Sequence, residues 1–174
     1  SLGQNVLVAD NASLGNNVKV QNNVAIYGGI TVEDDVFLGP SCVLTNVTNP
    51  RSQVSRKSLY EKTQIKRGAT IGANATIVCG INLGRYCFIG AGTVVTKDIP
   101  DYGLVLGNPG KLSGYMSRHG HKLTFNESGR ATCPESNFVY EKADDQVHCL
   151  DLGEDEPLPS DLSFGSKNYD SFKS

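Results

Sequence analysis

The sequence IKRGATIGANATIVCGINLGRYCFIGAGTVVTKDI, residues 65–99, repeats one pattern every six residues. Each repeat opens on an aliphatic residue, and a small or slim residue follows four places later. Neither the 3.6-residue period of a helix nor the strict alternation of a strand gives this spacing, whereas a parallel β-helix does. The stretch therefore predicts a coil in which three short strands and three corners make one turn of eighteen residues.

The same register begins at Leu2 and runs through the N-terminal part of the chain. Fourteen repeats open on an aliphatic residue, and the second block of repeats begins at Ile65. We expect the aliphatic side chains to point into a triangular prism and the slim residues to fill the space beside them. Cys42 and Cys87 stand in the slim position, so we expect both thiols to be core fillers.

The fourth position of each repeat must turn the chain sharply, which favours residues that tolerate a positive φ. Glycine, asparagine or aspartate stands there in eleven of the fourteen repeats. These residues are Asn5, Asn11, Asn17, Asn23, Gly29, Asp35, Gly68, Asn74, Gly80, Gly92 and Asp98. We interpret the five asparagines among them as structural.

Length and composition agree with one small domain. The chain has 174 residues, few aromatic residues and no tryptophan, as a narrow core requires. No apolar run reaches about 18 residues, and no signal-peptide pattern is present. The net charge of −2 argues against nucleic acid as a partner, and five cysteines favour free thiols in a reducing cytoplasm. We expect neither nucleic acid nor a membrane to be bound.

The repeat divides the chain into three regions. The β-helix is predicted over residues 1–109, with a loop insertion at residues 50–64. Residues 110–150 form a small C-terminal extension, and residues 151–174 form a polar tail that we expect to be solvated. Because the pattern is already under way at Ser1, we also expect further coils to precede it.

The insertion concentrates positive charge. Residues 51–67 contain six of the sixteen basic residues and one acid, Glu61. A charged loop without a role is one interpretation. However, a long insertion into a regular repeat is costly to order and is usually functional. Such a loop would suit a diphosphate or a carboxylate.

Asn46 precedes the insertion at an irregular corner. Val47 occupies the bend position there, and a β-branched residue disfavours positive φ. Asn46 lies one place earlier, so it gains no advantage in the turn. We therefore hypothesise that Asn46 is functional, in contrast to the asparagines of the bends.

Several motifs resemble those of hexapeptide-repeat nucleotide-sugar N-acetyltransferases. The most similar branch is the bacterial UDP-2-acetamido-3-amino-2,3-dideoxy-glucuronate N-acetyltransferases of surface polysaccharide pathways, such as O-antigen and lipopolysaccharide biosynthesis. The residues that carry the resemblance are Asn46-Val47-Thr48-Asn49-Pro50-Arg51, Arg56-Lys57, Tyr60, 72–80, 90–98, Gly107-Asn108-Pro109, 117–123 and Cys133-Pro134-Glu135-Ser136.

The resemblance implies an all-β fold, the left-handed parallel β-helix, with the handedness taken from the family. It also implies a homotrimer with active sites between subunits, acetyl-CoA as cosubstrate and a nucleotide-linked amino sugar as acceptor. Asn46 would be catalytic by orienting the amine or the acetyl carbonyl. The substrate would be bound by Asn49, Arg51, Arg56 and Lys57, and the cofactor by Ala73, Gly90, Ala91, Gly92, Lys97 and Lys111.

The three histidines, His119, His121 and His148, all follow the repeats. Acyltransferases of this fold that act on hydroxyls commonly use a coil histidine as base, because an alcohol proton must be removed. A neutral amine can instead attack the thioester directly. Zinc-dependent chemistry would also need histidines on the coils, so we expect no metal. The sequence predicts N-acetylation by direct amine attack.

Two other functions stay open at this point. One is an acetyltransferase of the same mechanism that acts on another nucleotide amino sugar, such as a dTDP-3-amino-6-deoxyhexose. The other is a non-catalytic trimeric β-helix scaffold. The charged Asn-Pro-Arg loop argues against a scaffold, which needs no such insertion.

Overall fold

The computed structural model describes residues 1–165 and 167–172, and its first two thirds are a stack of short parallel strands. None of the helices in these residues is long and apolar enough to cross a membrane. The parallel strands are β1 (Leu7–Val8), β2 (Ser13–Leu14), β3 (Lys19–Val20), β4 (Ala25–Ile26), β5 (Ile30–Val32), β6 (Phe37–Leu38), β7 (Val43–Leu44), β8 (Thr63–Ile65), β9 (Thr70–Ile71), β10 (Thr76–Ile77), β11 (Asn82–Leu83), β12 (Phe88–Ile89), β13 (Val94–Val95) and β14 (Gly103–Leu106).

The strands make the three faces of a prism. Face 1 carries the β1–β4 pair and the β7–β10–β13 ladder, face 2 carries β2–β5–β8–β11, and face 3 carries β3–β6–β9–β12–β14. Partners in successive coils are eighteen residues apart, as in the pairing of Leu7 with Ala25. The predicted fold, a left-handed parallel β-helix of hexapeptide repeats, is confirmed.

From Val20 onward, the aliphatic first residues of the repeats form the core of the prism, because side chains alternate between the two sides of each strand. Leu38, Ile71 and Ile89 are among the fully buried ones. Leu2 and Val8 are exposed. The Cys42 and Cys87 side chains belong to the same buried cluster, which confirms both as core fillers. Burial raises the pKa of the Cys42 thiol to about 11, so this thiol stays protonated near neutral pH.

The corners follow the turn chemistry with three exceptions. Ten of the eleven bend residues named above have a positive φ, but Asp98 does not. Its carboxylate instead accepts a hydrogen bond from the Asn82 amide at 2.8 Å. Ser41 and Tyr86 occupy bend positions without being glycine, asparagine or aspartate, yet both adopt a positive φ. The Tyr86 ring packs on Gly68 of the coil below, where an added Cβ would come within 2.2 Å of the ring, and this packing compensates the strained backbone.

Polar side chains stack between coils at two of these corners. The Asn5 Nδ2 donates to Asn23 Oδ1 at 3.1 Å, and the Asn17 Nδ2 donates to Asp35 Oδ1 at 2.8 Å. Arg67 of the next coil then forms a salt bridge with Asp35. The bend residues are therefore joined along the axis as well as shaped for their own turns.

The insertion leaves the register of the prism intact. Thr31 pairs with Gln64, thirty-three residues on, whereas on the same face Ser13 pairs with Thr31, eighteen residues on, so the insertion adds fifteen residues. β8 begins at Thr63, so the last two residues of the segment predicted as loop belong to the strand. The Thr63 hydroxyl is buried and accepts a hydrogen bond from the Gly80 amide at 3.0 Å, which explains why a polar residue is tolerated there.

The C-terminal part is antiparallel. β14 pairs with β15 (Lys111–Tyr115) in a hairpin that spans the predicted boundary at residue 109, and β16 (Arg130–Thr132), β17 (Val139–Ala143) and β18 (Gln146–Cys149) form a small sheet. A second buried cluster joins this sheet to the prism. It includes Tyr102 and Tyr140, whose rings meet edge to face.

Residues 151–165 and 167–172 run back over the prism, and we call them the strap. The structure differs here from the expectation of a solvated tail. Backbone carbonyls of the strap accept hydrogen bonds from Arg67, Tyr86, Arg118 and His119. Two 3₁₀ helices lie in the strap, at Ser160–Leu162 and Tyr169–Phe172. The strap is polar in sequence yet bound, because its backbone carbonyls make these contacts and its Glu154 and Asp155 side chains pair with Tyr102 and Arg85.

Candidate active site

Asn46 lies at the corner between faces 1 and 2, where the insertion leaves the prism. The pairing of Leu44 with Ile77, and of Ile77 with Val95, continues past the strand ends. It places Asn46 and Cys79 in one column along this corner. Lys97 lies at the same corner on the following coil, where the pairing of Leu83 with Ile99 makes the register two residues shorter. The predicted catalytic residue therefore shares this corner with one predicted cofactor ligand, Lys97.

A local hydrogen-bond network fixes this corner. The Thr45 hydroxyl accepts from the Cys79 amide at 2.9 Å, and the Thr48 hydroxyl lies 3.6 Å from Cys79 Sγ. Asn46 itself lacks the positive φ of the bends and is half-buried. Contacts of the neighbouring residues hold the backbone at Asn46. Among the described residues, the Asn46 side chain makes no hydrogen bond.

The two ends of the insertion meet beside Asn46. The Glu61 amide donates to the Asn46 carbonyl oxygen at 2.9 Å, and the Thr63 amide donates to the carbonyl oxygen of Gly29 at 3.1 Å. Tyr60 packs over Gly28 of the coil below, with a ring carbon 3.6 Å from the position of an added Cβ. This base of the loop, which we call the neck, is thus closed by backbone hydrogen bonds and by the Tyr60 ring, which packs against Gly28.

The predicted substrate residues all lie within this loop. Arg56 Nε donates to the Asn49 carbonyl oxygen at 2.9 Å, so these two residues are brought together. Arg51 lies in a short turn, where its backbone pairs with Val54, and its side chain is exposed. The Lys57 side chain is exposed as well. The loop therefore presents several cations to solvent at the corner of Asn46.

The small residues assigned to the cofactor lie at the opposite edge of face 1. The Gly92 amide donates to the Ala73 carbonyl oxygen at 2.9 Å, which stacks the two bends. The fold itself explains two of the glycines. An added Cβ at Gly90 would come within 2.4 Å of Leu106, and Gly92 adopts a positive φ of +69°. At Ala73 and Ala91, by contrast, no positive φ requires a small residue.

This edge fits a thin ligand arm. An added Cβ at Gly92 would meet no atom within 4 Å, and Ala91 is exposed, so the backbone is open to the outside. Lys111, at the start of β15, is exposed beside it through the pairing with Leu106. The residues present are therefore compatible with the pantetheine arm and the phosphates of acetyl-CoA.

Face 1 lies between the two groups of predicted site residues, and most of its outward-facing side chains are apolar. The outward residues of its strands are Leu7, Ala25, Val43, Thr76 and Val94. Val43 keeps 49% of its surface exposed. A single prism therefore presents the loop corner, an apolar strip and the small-residue edge side by side.

Glu61 and Cys79 also lie at this corner, and neither was predicted as a site residue. Glu61 had a signal in the sequence, because it is the one acid in a strongly basic segment. Cys79 had no signal of its own, and its place in the column with Asn46 emerges only when the coils on either side of the insertion are stacked in register.

The histidines lie elsewhere. His121 Nε2 is 2.7 Å from the Glu135 carboxylate, and its ring stacks on Tyr169 of the strap. His119 Nε2 bonds to the Leu162 carbonyl oxygen, so the neutral ring carries its proton on Nε2. Within residues 1–165 and 167–172, no cluster of three histidine, cysteine or acidic side chains is placed to hold a metal ion.

A cavity of about 670 Å³ lies between the strap and the corner of faces 2 and 3. Arg118, His119 and His121 contribute to its walls, together with Lys19. None of the predicted site residues lines it. The cavity is therefore separate from the corner of Asn46.

Comparison with known proteins supports the repeat and the fold. Residues 11–46 and 62–97 match the family described as Bacterial transferase hexapeptide (six repeats). A hexapeptide-repeat-containing acetyltransferase from Vibrio cholerae O1 biovar eltor, solved in complex with acetyl coenzyme A, superposes with a TM-score of 0.52 at 24% identity. The match covers 67% of this chain and 70% of that one, and it supports the fold.

Curated proteins also match by sequence, among them two sugar acetyltransferases. A dTDP-3-amino-3,6-dideoxy-alpha-D-galactopyranose 3-N-acetyltransferase from Aneurinibacillus thermoaerophilus is 47% identical over 74 residues, which are 42% of this chain and 38% of the relative. A galactoside O-acetyltransferase from Lactococcus lactis is 35% identical over 81 residues, 45% of this chain and 39% of the relative. The matched segments thus span about two fifths of the curated relatives.

Proposed function

We propose that this chain of hexapeptide repeats is an acetyl-CoA-dependent N-acetyltransferase for a nucleotide-linked amino sugar. The observation that carries the proposal is the 47% identity to an amino-sugar N-acetyltransferase over 74 residues. The position of Asn46, at the neck of a cationic loop and at the same corner as Lys97, is compatible with it. The absence of histidine from residues 1–118 also favours an amine over a hydroxyl acceptor.

The nucleotide sugar we propose is a dTDP-linked 3-amino-6-deoxyhexose. The resemblance of the motifs favoured a UDP-linked 3-amino uronate. The 47% identical relative is a dTDP-3-amino-sugar 3-N-acetyltransferase, which favours the dTDP sugar. Arg51, Arg56 and Lys57 would meet the diphosphate, since guanidinium and ammonium groups are the usual partners of phosphate. We place the reaction in the cytoplasm, in the synthesis of a surface polysaccharide.

The proposed chemistry needs no side-chain base. Acetyl-CoA, once bound along Ala73, Ala91 and Lys97, supplies a thioester carbonyl. The neutral amine attacks that carbonyl directly, and Asn46 orients the amine or donates to the oxygen that gains negative charge. An amide cannot accept the proton near neutral pH, so the proton leaves with the CoA thiolate or to water.

We also propose a homotrimer with the sites between subunits. One prism offers two corners and an open strip between them, which is too shallow to enclose two ligands. A second prism against the apolar strip of face 1, around Val43, would bury exposed aliphatic surface and close the groove.

Thiol release from acetyl-CoA tests the proposal. Wild-type protein is incubated with acetyl-CoA and either dTDP-3-amino-3,6-dideoxyhexoses, the UDP-linked 3-amino uronate, or the matching hydroxy sugars. We expect CoA release with a dTDP amino sugar and none with the hydroxy sugars. Release only with the UDP uronate would reject the nucleotide assignment, and release only with hydroxyl acceptors would reject N-acetylation.

A further inference from the structure

Glu61 shares the corner of Asn46 and occupies the other side of the neck. Its amide donates to the Asn46 carbonyl oxygen, and the register places Glu61 level with Cys79 of the next coil. Asn46 is level with the same residue across the insertion. The two residues therefore mark the ends of the fifteen extra residues and lie side by side on one coil.

Two glycines give Glu61 room. The Glu61 carbonyl oxygen lies 2.9 Å from the position of an added Cβ at Gly29, which has a φ of +90°. On the other side, the carboxylate lies over Gly80, with Oε2 3.5 Å from an added Cβ position. The Glu61 side chain thus lies on bare backbone immediately beside the column of Asn46, and it is exposed.

The charges around Glu61 are unbalanced. It is the single acid among the six basic residues of the segment 51–67. Arg67 is paired with Asp35, and Arg56 bonds to a carbonyl oxygen. Within the part of the chain that the structure describes, the Glu61 carboxylate has neither a hydrogen bond nor an ion pair. An acid in so basic a segment that pairs with none of its neighbours is available to an external cation.

An amino sugar brings such a cation. Near neutral pH its amine is largely an ammonium, and the cations that suit the diphosphate repel it. A carboxylate beside Asn46 offsets this repulsion and attracts the ammonium to the point where the acetyl group is delivered. A hydroxy sugar gains nothing from the same carboxylate.

We propose that Glu61 is the counter-ion of the substrate ammonium and the residue that makes the site prefer amino over hydroxy sugars. The inference rests on the proposed function. Glu61 binds the protonated amine and is not consumed; the proton passes to water before the neutral amine attacks.

Binding measurements without acetyl-CoA test the preference directly. Isothermal titration at pH 7 compares a dTDP-3-amino-3,6-dideoxyhexose with its 3-hydroxy counterpart. Wild-type protein should bind the amino sugar about tenfold more tightly, as expected for a charge-assisted contact. Glu61→Gln keeps the backbone bond to Asn46 and should bind both sugars equally. Glu127→Gln, in an exposed turn of the extension, should keep the wild-type preference.

A pH profile gives a second reading. A nearby carboxylate favours the ammonium, so removing it should lower the amine pKa in the complex by about one unit. The kcat of Glu61→Gln should therefore reach its plateau at lower pH than the wild-type kcat. An unchanged preference and an unchanged profile in Glu61→Gln would overturn the role of Glu61. A wild-type protein that binds neither sugar would overturn the proposed function as well.

Discussion

The guanidinium of Arg118 lies 4.2 Å above the centre of the Tyr86 ring and holds the strap against the prism. Its two terminal nitrogens donate to the carbonyl oxygens of Glu156 and Gly153. Only 1% of the Arg118 side chain is exposed. One cation therefore connects a corner of the coil to both sides of a strap turn.

Arg118→Met should release the strap and leave the prism folded. Methionine keeps the apolar stem over Tyr86 but loses both donors and the charge. We expect backbone amides in residues 151–165 to exchange with deuterium at least about tenfold faster, because local opening becomes cheaper. Arg130→Met, which removes an exposed salt bridge to Glu141, is the control. Equal protection of the strap in both variants would show that Arg118 does not hold it.

Asn46→Ala should lower turnover without unfolding the protein. The residue is outside the bends and the core, so its loss removes an orienting or oxyanion-stabilising amide and little else. We expect kcat to fall by about 100-fold. Steady-state thiol release and thermal unfolding measure the two effects.

Asn74→Ala is the matched control, because Asn74 occupies a true bend with a φ of 56°. Alanine disfavours this conformation, so the free energy of unfolding should fall by about 1 kcal/mol while turnover changes little. If Asn46→Ala behaves like Asn74→Ala, Asn46 is a structural anchor of the loop.

Val43→Lys should prevent assembly. Val43 projects from the middle of the apolar strip on face 1, where a charge would be buried on trimer formation. We expect sedimentation velocity to show a monomer with little activity. Thr31→Lys, at the equivalent outward position of face 2, should still sediment as a trimer. A monomeric and active wild-type protein would contradict the assembly outright.

Alkaline pH should destabilise the fold through Tyr102. Burial, and then its hydrogen bond to the Glu154 carboxylate, raise the pKa of Tyr102 well above the ordinary value of 10.0. The unfolded chain therefore loses this proton first, and the free energy of unfolding falls as pH rises above about 10. Tyr102→Phe should reduce the slope by about 1.4 kcal/mol per pH unit between pH 10 and 11.5. Tyr27→Phe, on a partly exposed ring, should keep the wild-type slope in urea unfolding.

Single replacement of His119, His121 or His148 by glutamine should leave the pH profile of turnover unchanged. His119 and His121 contact the strap, away from the corner of Asn46. The rate with limiting sugar should rise with pH through one ionisation, that of the substrate amine. An inflection near pH 6.5 that disappears in one of these variants would identify a histidine base.

The prism was predictable because its determinants are local. An aliphatic residue every six positions and a glycine or asparagine at each bend determine strands, corners and core together. The exceptions come from packing between coils. Tyr86 adopts a positive φ because its ring rests on Gly68 and stacks on Tyr102 at 5.2 Å, and a local rule cannot include these partners.

The strap and Glu61 were not predictable for a related reason. The strap is bound largely through its carbonyl oxygens, which the sequence of side chains does not reveal. Its partners, Arg118 for the carbonyls and Tyr102 for the Glu154 carboxylate, are distant in the chain. Glu61 meets Asn46 only because the insertion returns to the corner that it left. In both cases the tertiary path of the chain, and not the local sequence, determines which residues meet.

Because the register is intact across the insertion, the loop is structurally independent of the strands on either side of it. Thr31 and Gln64 pair as if the extra residues were absent, and the bond between Glu61 and Asn46 closes the segment at its base. The prism therefore tolerates a change in the length or composition of the loop without any shift of its strands. Acceptor preference can diversify in such a scaffold by exchange of one short segment, while the coils that would carry the acyl donor stay the same.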